Sequence, residues 1–214
     1  MDIQWSDRGV PISNHFDDPY YSLDDGVAET THVFLSGNDL PDRFTDGFHI
    51  AETGFGTGLN FLVALDAWRH ARVPGTLHFT SFEAFPLDAD TITAAHAHFP
   101  MLKPLSEEID WSRHSASLPD AELRVIIGDA RTTLPAWDGA VDAWFLDGFS
   151  PANNPELWGD DLLLAVGRHT KPGGTCATYS AAGAIRRGLD AAGFDVTRVA
   201  GFGRKRHMSI GTKP

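Results

Sequence analysis

The segment FHIAETGFGTGLNFL, residues 48–62, decides the fold class of this chain. It begins with a short apolar run, continues through a turn with three glycines, and ends with apolar residues at helical spacing that start at Leu59 and Leu62. A strand that ends in a glycine-rich turn and leads into a helix is the opening unit of nucleotide-binding α/β folds. The segment therefore predicts such a fold.

Strands and helices alternate along the rest of the chain. Helices are predicted at residues 59–72, 91–100, 155–170 and 182–193, strands at 76–83, 122–130, 140–149 and 175–180, and a turn at KPGG (171–174). This alternation predicts a mostly parallel sheet with helices on both faces. The last two predicted strands, 194–202 and 207–212, are joined only by GRKR, so we expect an antiparallel hairpin at the sheet edge.

The predicted fold is thus α/β, with a mostly parallel seven-stranded sheet and a C-terminal antiparallel β-hairpin. This plan is typical of Rossmann-like class I methyltransferases, which depend on S-adenosylmethionine, and not of dinucleotide-dependent dehydrogenases. Residues 47–214 form the predicted methyltransferase domain. Residues 1–46 consist of short apolar pieces broken by acidic turns, and they predict an irregular N-terminal extension packed on the core.

The composition narrows the class of protein further. With 214 residues, of which 42% are hydrophobic, the chain is large enough for one folded domain. The single cysteine, Cys176, excludes a disulfide framework, and the ten histidines show no ligand spacing, so we expect no metal site. No apolar run is long enough to span a bilayer and the N-terminus is polar, so we expect a cytoplasmic protein without a membrane partner.

The charge is distributed unevenly. The net charge is −12, yet seven of the 17 Lys and Arg residues lie between Ile185 and the C-terminus, together with only two acidic residues. A basic segment in an acidic chain indicates a surface for a polyanion. The alternative is a solvated C-terminal face.

The spacing of the glycines indicates which ligand the turn would bind. A dinucleotide fingerprint counted from Gly54 needs its third glycine at position 59, where the chain has Leu59; here the third glycine is Gly58. Glu52, two residues before the first glycine, would repel a pyrophosphate but suits a cationic aminoacyl group. The pattern therefore favours S-adenosyl-L-methionine over NAD, and the alternative is a glycine-rich turn without a ligand.

Four predicted strands end in an acidic residue: Glu52, Glu83, Asp129 and Asp147. The carboxyl ends of parallel strands lie together at one edge of the sheet, so these acids repel one another unless a ligand requires them. Glu83 is placed to bind the ribose, Asp129 to accept from the adenine amino group, and Asp147 to lie near the reactive end of the cofactor. For Glu83 or Asp129 alone, capping of the next helix is an equal alternative.

The segment DGFSP, which begins at Asp147, predicts the catalytic group. A carboxylate at this strand end can orient an acceptor amine and accept a proton as the new bond forms. Phe149, two residues later, could stack on a base, with core packing as the alternative.

Several long segments resemble one family over nearly the whole chain. They are DDPYYS (17–22), VFLSGN (33–38), AETGFGTGLNFL (51–62), FEAFPL (82–87), DAWFLDGFSPANNPELW (142–158), KPGGT (171–175), RRGLDAAGF (186–194) and GFGRKRHM (201–208). Together they resemble the methyltransferase half of the bifunctional tRNA 5-methylaminomethyl-2-thiouridine biosynthesis proteins.

The resemblance implies methylation of the exocyclic amine of 5-aminomethyl-(2-thio)uridine at the tRNA wobble position, with S-adenosyl-L-methionine as donor and S-adenosyl-L-homocysteine as product. It implies that the tRNA anticodon region is the partner and that Phe149 faces the uracil. The implied cofactor-binding residues are Glu52, Gly54, Phe55, Gly56, Gly58, Asn60, Glu83, Asp129, Asp147 and Tyr20. The implied phosphate-binding residues are Arg186, Arg187, Arg204, Lys205 and Arg206.

In that family a flavin-dependent oxidase domain follows the methyltransferase. This chain shows no second glycine fingerprint before Pro214, so we expect a stand-alone methyltransferase or an excised half, with the oxidase separate or missing. Two other functions remain open at this point: methylation of another amine, on a small molecule or a protein, and a non-catalytic tRNA-binding module.

Overall fold

The computed structural model describes residues 2–214, and its N-terminal part is more ordered than predicted. Strands β1 (Ile3–Trp5), β2 (Pro11–Ser13) and β3 (Asp18–Pro19) form a small antiparallel sheet. Helix α1 (Gly26–Thr30) continues as a π-helical turn (Thr31–Leu35) and a 3₁₀ turn (Ser36–Asn38). The prediction of an irregular extension was therefore wrong over these stretches.

Tertiary packing explains why this helical run could not be predicted. Locally it has a single signal, the side chain of Asp25, which caps α1 by accepting a hydrogen bond of 2.9 Å from the backbone amide of Ala28. The run is too short to be stable alone. Val33, Phe34 and Leu35 are buried in the main hydrophobic core, and this burial holds the segment in place.

The central sheet has eight strands rather than seven. In chain order they are β4 (His49–Thr53), β5 (Leu77–Glu83), β6 (Ser115–Ser117), β7 (Ala121–Ile127), β8 (Val141–Leu146), β9 (Thr170–Thr178), β10 (Asp195–Ala200) and β11 (His207–Thr212). The spatial order is β10-β11-β9-β8-β4-β5-β7-β6. Strands β4, β5, β7, β8 and β9 run parallel, and β10 and β11 form the predicted antiparallel hairpin. The additional strand is β6, which pairs antiparallel with β7 at the edge.

Helices cover both faces of this sheet. They are α2 (Leu59–Ala71), α3 (Ala89–His96), α4 (Lys103–Ser106), α5 (Ala130–Thr133), α6 (Asp160–Arg168) and α7 (Gly183–Ala191). One buried cluster includes Phe61, Phe79 and Phe145, and the other includes Trp144 and Leu163. None of the helices in the described part of the chain is long and apolar enough to cross a membrane.

Two local predictions need correction. The helix predicted at 155–170 starts as a 3₁₀ turn (Pro155–Trp158) and becomes α-helical only after Gly159, whose backbone is extended. KPGG, predicted as a turn, lies within β9. Backbone hydrogen bonds of 2.8 Å from Gly173 to Lys213 and from Lys213 to Gly174 pair this segment with the chain after β11. The register against β8 shifts at this point, and Gly173 has φ +76°.

The direction of the strand order changes at β4, and this change positions the site. From β4 the chain proceeds to β5 and β7 on one side and then to β8 and β9 on the other. Connections therefore leave the carboxyl ends of β4 and β8 in opposite directions and open a crevice between them.

Candidate active site

A cavity of about 930 Å³ lies at the carboxyl ends of the parallel strands. The glycine turn after β4, the loops after β5, β7 and β8, helix α1 and the turn between β10 and β11 all contribute to its wall. The volume is within the range of roughly 300–1,000 Å³ that is typical of small-molecule sites. The cavity can therefore hold one nucleoside-sized molecule with space for part of a second.

The glycine turn is shaped by backbone conformations that only glycine adopts easily. Gly54 has φ +81°, and a Cβ added there would lie 3.1 Å from Cα of Gly148, in the loop after β8. The turns that follow β4 and β8 therefore contact each other directly. A side chain at position 54 would push the loop that carries Asp147.

Glu83 fits the predicted role at the ribose. Its Oε2 accepts a hydrogen bond of 3.0 Å from the backbone amide of Gly56, and its Oε1 accepts one of 2.7 Å from that of Phe85. A carboxylate has about four lone-pair sites, so both oxygens can still accept from a pair of hydroxyl groups. Glu83 lines the cavity, and the capping alternative does not apply because α3 is capped by Asp88.

The amide of Asn60 connects Asp147, at the floor of the cavity, with Glu52. Its Nδ2 donates hydrogen bonds of 2.7 Å to Glu52 Oε1 and of 2.7 Å to Asp147 Oδ2. The hydroxyl of Thr30 donates to Asn60 Oδ1 at 2.7 Å, which orients the amide. Asn60 thus places its amide hydrogens between the two carboxylates.

Glu52 lies deeper than the sequence suggested. It is fully buried and is not part of the cavity wall, and its Oε2 accepts from the hydroxyl of Ser81 at 2.7 Å. Burial raises the pKa of Glu52 well above its usual value. Direct contact with the methionine end, as expected above, is not available in this geometry, and Glu52 reaches the cavity only through Asn60.

Asp147 lies at the cavity floor with its carboxylate fixed. Oδ1 accepts from the backbone amide of Gly148 at 2.8 Å, and the hydroxyl of Thr53 donates to the Asp147 carbonyl at 2.8 Å. Burial raises the pKa of Asp147 to about 6, although the hydrogen bonds from Gly148 and Asn60 act in the opposite direction. Asp147 is therefore an oriented carboxylate that is ionised at neutral pH.

Asp129 lines the cavity but is engaged elsewhere. Its side chain caps α5 by accepting from the backbone amide of Arg131 at 2.9 Å, and the guanidinium of Arg131 pairs with it at 2.5 Å. The hydrogen bond from Arg131 lowers the pKa of Asp129. The capping alternative therefore describes Asp129 in this structure, and its contact with adenine stays a prediction.

Aromatic side chains from distant segments meet at the cavity mouth. The ring of Phe149 stacks on Phe16 with centroids 4.6 Å apart, and Tyr20 contacts Phe149 edge-on at 5.1 Å. Phe85, 45% exposed, contacts Phe16 at 5.6 Å. Phe149 thus lines the cavity instead of packing in the core, and Tyr20 lies over the turn at Gly56.

The predicted phosphate-binding residues divide into two groups. Arg204 and Lys205 line the cavity, and Arg206 is exposed on the same turn. Arg186 and Arg187 lie on α7 and are not part of the cavity wall.

Sequence reasoning missed Glu29, Thr30 and Tyr179, which all line the cavity. Glu29 and Thr30 lie in the segment predicted to be irregular. Tyr179 directly follows β9, so the rule that ligands bind at the carboxyl ends of strands could have found it. Among residues 2–214, no three His, Cys, Asp or Glu side chains are grouped so as to hold a metal ion.

The residues present fit S-adenosyl-L-methionine. Glu83 offers a carboxylate for vicinal hydroxyl groups, and Asp147 offers negative charge at the floor. Gly54 and Gly56 allow the turn to approach Gly148 and Tyr20 closely, which shapes the cavity wall. A sheet of this order with an acidic cavity at its switch point defines the class of Rossmann-like methyltransferases.

Comparison with known proteins identifies the family. The profile of a family described as S-adenosyl-L-methionine-dependent methyltransferase matches residues 90–214, more than half of the chain, and the chain belongs to this family. The fold class, the methyltransferase activity and the cofactor predicted from the sequence are thereby confirmed.

Individual relatives agree with this assignment. The chain is 46% identical to the tRNA 5-methylaminomethyl-2-thiouridine biosynthesis bifunctional protein MnmC of Caulobacter vibrioides, over 99% of this chain and 38% of that protein. It thus spans well under half the length of this curated relative. The crystal structure of MNMC2 from Aquifex aeolicus superimposes with a TM-score of 0.78 at 25% identity, covering 100% of this chain and 71% of that one. The glycopeptide N-methyltransferase MtfA bound to S-adenosyl-L-methionine shares the fold, with a TM-score of 0.53 at 16% identity over 88% of this chain and 94% of that one.

Proposed function

We propose that this protein methylates the exocyclic amine of 5-aminomethyl-(2-thio)uridine at the tRNA wobble position, giving 5-methylaminomethyl-(2-thio)uridine. The observation that carries the proposal is the fixed, ionisable carboxylate of Asp147 at the floor of a methyltransferase cavity. The name of the bifunctional relative, which this chain matches along 99% of its own length, supports tRNA as the carrier of the amine.

Asp147 is the proposed catalytic residue. S-adenosyl-L-methionine supplies a methyl group on a positively charged sulfur, and transfer moves that positive charge to the acceptor nitrogen. The carboxylate of Asp147 accepts a hydrogen bond from the amine, aims its lone pair and stabilises the charge that arrives on nitrogen. Asn60 holds the orientation of Asp147 through its bond of 2.7 Å.

The mouth of the cavity is the proposed RNA face. The aromatic side chains around Phe149, of which Phe85 is exposed, provide surfaces on which a single-stranded base can stack. Arg204 and Arg206 on the hairpin turn are proposed to contact phosphates at this mouth. Arg186 and Arg187 on α7 are proposed to contact phosphates outside the cavity wall. A role in tRNA modification would place the protein in the cytoplasm.

A separate reaction must supply the aminomethyl group. We propose that a flavin-dependent oxidase, on another chain or in a longer form of this protein, removes a carboxymethyl group before methylation. The methyltransferase site then accepts only the free primary amine.

A methyl-transfer assay with two tRNA pools tests the proposal. Labelled S-adenosyl-L-methionine is incubated with the protein and with tRNA carrying either 5-aminomethyluridine or the carboxymethylaminomethyl form. We expect label in the first pool alone. Absence of label from both pools, while the protein still binds the cofactor, would contradict the tRNA assignment and leave another amine as acceptor.

A further inference from the structure

The cavity contains another carboxylate, Glu29, that the cofactor and catalytic assignments do not use. Glu29 lies on α1, and its side chain is only 16% exposed. Its Oε1 accepts a hydrogen bond of 2.9 Å from the ammonium of Lys205, in the turn between β10 and β11. A carboxylate so shielded from water requires a cationic partner.

The same ammonium lies against an aromatic face. Nζ of Lys205 is 3.9 Å from the ring centroid of Tyr179. The hydroxyl of Tyr179 donates a hydrogen bond of 2.8 Å to the carbonyl of Gly148, which holds the ring beside the loop that carries Asp147. A carboxylate and an aromatic face around one nitrogen form an arrangement that recognises a cationic amine.

This arrangement lies next to the proposed catalytic group. Glu29, Tyr179, Lys205 and Asp147 line one cavity. Burial is the main cause of the raised pKa of Asp147. The negative charge of Glu29 raises this pKa further, and the positive charge of Lys205 lowers it. The ammonium of Lys205 and the carboxylate of Asp147 therefore face the same cavity.

We propose that Glu29 and the face of Tyr179 form the subsite for the ammonium group of the acceptor, and that Lys205 fills this subsite while no acceptor is bound. The inference rests on the proposed function and specifies that its acceptor binds through an ammonium group. Acceptor binding exchanges one ammonium for another, so Glu29 has a cationic partner both before and just after the acceptor binds. The bound ammonium loses a proton to water before its nitrogen accepts the methyl group.

The subsite explains how the enzyme selects its substrate. A carboxymethylaminomethyl group would bring a third carboxylate close to Glu29 and Asp147, and like charges at this distance repel. The displaced side chain of Lys205 would meanwhile be free to reach an RNA phosphate. Binding of RNA and opening of the subsite would then favour each other.

Binding of matched ligands tests the subsite without any turnover. The protein, saturated with S-adenosyl-L-homocysteine, is titrated with 5-aminomethyluridine and with 5-hydroxymethyluridine, and the ratio of the two dissociation constants gives the amine preference. We expect Glu29→Gln to reduce this preference on the order of tenfold, because the charge-assisted contact is lost. We expect Lys205→Met to tighten amine binding several-fold and leave the alcohol unchanged, because the internal competitor is gone.

Lys103→Met is the matched control, since Lys103 forms an exposed ion pair with Glu107 at 3.6 Å and does not line the cavity. An unchanged amine preference in folded Glu29→Gln protein would overturn the subsite. Weaker amine binding by Lys205→Met would do the same, because it would make Lys205 a supporting contact instead of a competitor.

A second ligand pair separates the subsite from the tRNA assignment. Benzylamine and benzyl alcohol present the same groups without a nucleoside. One outcome is that neither tRNA pool is methylated, while the protein binds benzylamine more tightly than benzyl alcohol and the variants shift this preference as above. In that case the subsite is supported and the proposed tRNA function is contradicted. If tRNA is methylated but Glu29→Gln keeps its amine preference, only the subsite fails.

Discussion

The carboxyl group of Asp147 connects burial with reactivity. Burial raises its pKa to about 6, so the carboxylate that should stabilise the charged product is lost as the pH falls through that value. We predict that single-turnover methyl transfer decreases below about pH 6. Asp147→Asn should lower the rate roughly 10²–10⁴-fold and remove the part of the pH profile that depends on this group.

The pH profiles of the wild type and of Asp147→Asn, compared with each other, separate the titration of Asp147 from that of the acceptor amine, which must lose a proton before it reacts. Binding of S-adenosyl-L-methionine to Asp147→Asn, measured by calorimetry, serves as the control and should change by a few-fold at most. A variant that keeps the wild-type rate would remove Asp147 from the mechanism.

The burial of Glu52 leads to a prediction about the stability of the folded protein and not about the rate of methyl transfer. Its pKa in the folded protein lies well above the unfolded value because the side chain is fully buried. The stability contributed by such a group is present below the unfolded pKa and is lost as the pH rises through the folded pKa. Glu52→Gln keeps the shape and cannot ionise, so it should melt at a higher temperature than the wild type at pH 8.

Each kcal/mol gained by Glu52→Gln corresponds to a rise in Tm of roughly 2–4 °C for a chain of this size. The gain should shrink as the pH is lowered from 8 towards 5.5, because the raised pKa of wild-type Glu52 favours its protonation as the pH falls. Thermal melts of both proteins across this pH range provide the measurement. A difference in Tm that does not change with pH would show that Glu52 does not titrate as proposed.

At the scale of elements, contact between the turns after β4 and β8 determines the shape of the floor. Gly54 and Gly47 both have positive φ, but a Cβ at Gly54 meets the backbone of Gly148, whereas one at Gly47 meets nothing within 4 Å. Alanine at either position should cost roughly 1–2 kcal/mol of backbone strain. We predict that Gly54→Ala additionally weakens cofactor binding and methyl transfer at least about tenfold, because it displaces the loop that carries Asp147.

Gly47→Ala is the matched control for this prediction, with similar strain and no contact. Chemical denaturation measures the loss of folding stability that both variants share. Calorimetry with S-adenosyl-L-homocysteine measures the loss of cofactor affinity, which we expect only for Gly54→Ala. Equal effects of the two variants on binding would contradict the importance of the contact between the turns.

Elements with a local signal could be predicted from the sequence. The strand, glycine turn and helix around residues 48–71 agree closely with the structure, because apolar periodicity and glycine spacing are local properties. The helical run that begins with α1 was missed because its stability comes from burial against residues far along the chain. Strand β6 was missed for a similar reason, since three residues carry little pattern of their own.

The sequence was sufficient to predict that the site lies at the carboxyl edge of the sheet, but not which side chains contact one another there. The rule that acids at strand ends meet at one rim placed Glu83 and Asp147 in the cavity. It could not show that Asn60 covers Glu52, or that Arg131 engages Asp129, because both depend on side-chain positions. Glu29 and Lys205 are separated by more than 170 residues, and no local pattern indicates that they pair.

At the scale of the whole molecule, the N-terminal extension and the C-terminal hairpin enclose the cavity from opposite ends of the chain. Lys205 pairs with Glu29, and the backbone amide of Ser150 donates to Asp18 at 2.7 Å. The cavity is therefore completed by segments outside the parallel strands. This arrangement brings the basic hairpin turn to the mouth of the cavity, although the protein as a whole is acidic.

The proposed binding of RNA depends on that position of the hairpin turn. The net charge of −12 repels a polyanion at long range, so binding must depend on the few basic side chains at the cavity mouth. Each phosphate neutralised by a lysine or arginine contributes about one unit to the slope of log K against log salt. The double variant Arg204→Ala/Arg206→Ala should therefore lower the slope for tRNA binding by about 2 and leave cofactor affinity unchanged.

Arg113→Ala is the matched control for this prediction. It removes an arginine that is paired with Asp110 and lies outside the cavity wall, so it should leave the slope unchanged. Filter binding between 50 and 200 mM salt resolves such a change, since a contact set of this kind alters affinity several-fold over that range. An unchanged slope in the double variant would place the RNA surface elsewhere on the protein.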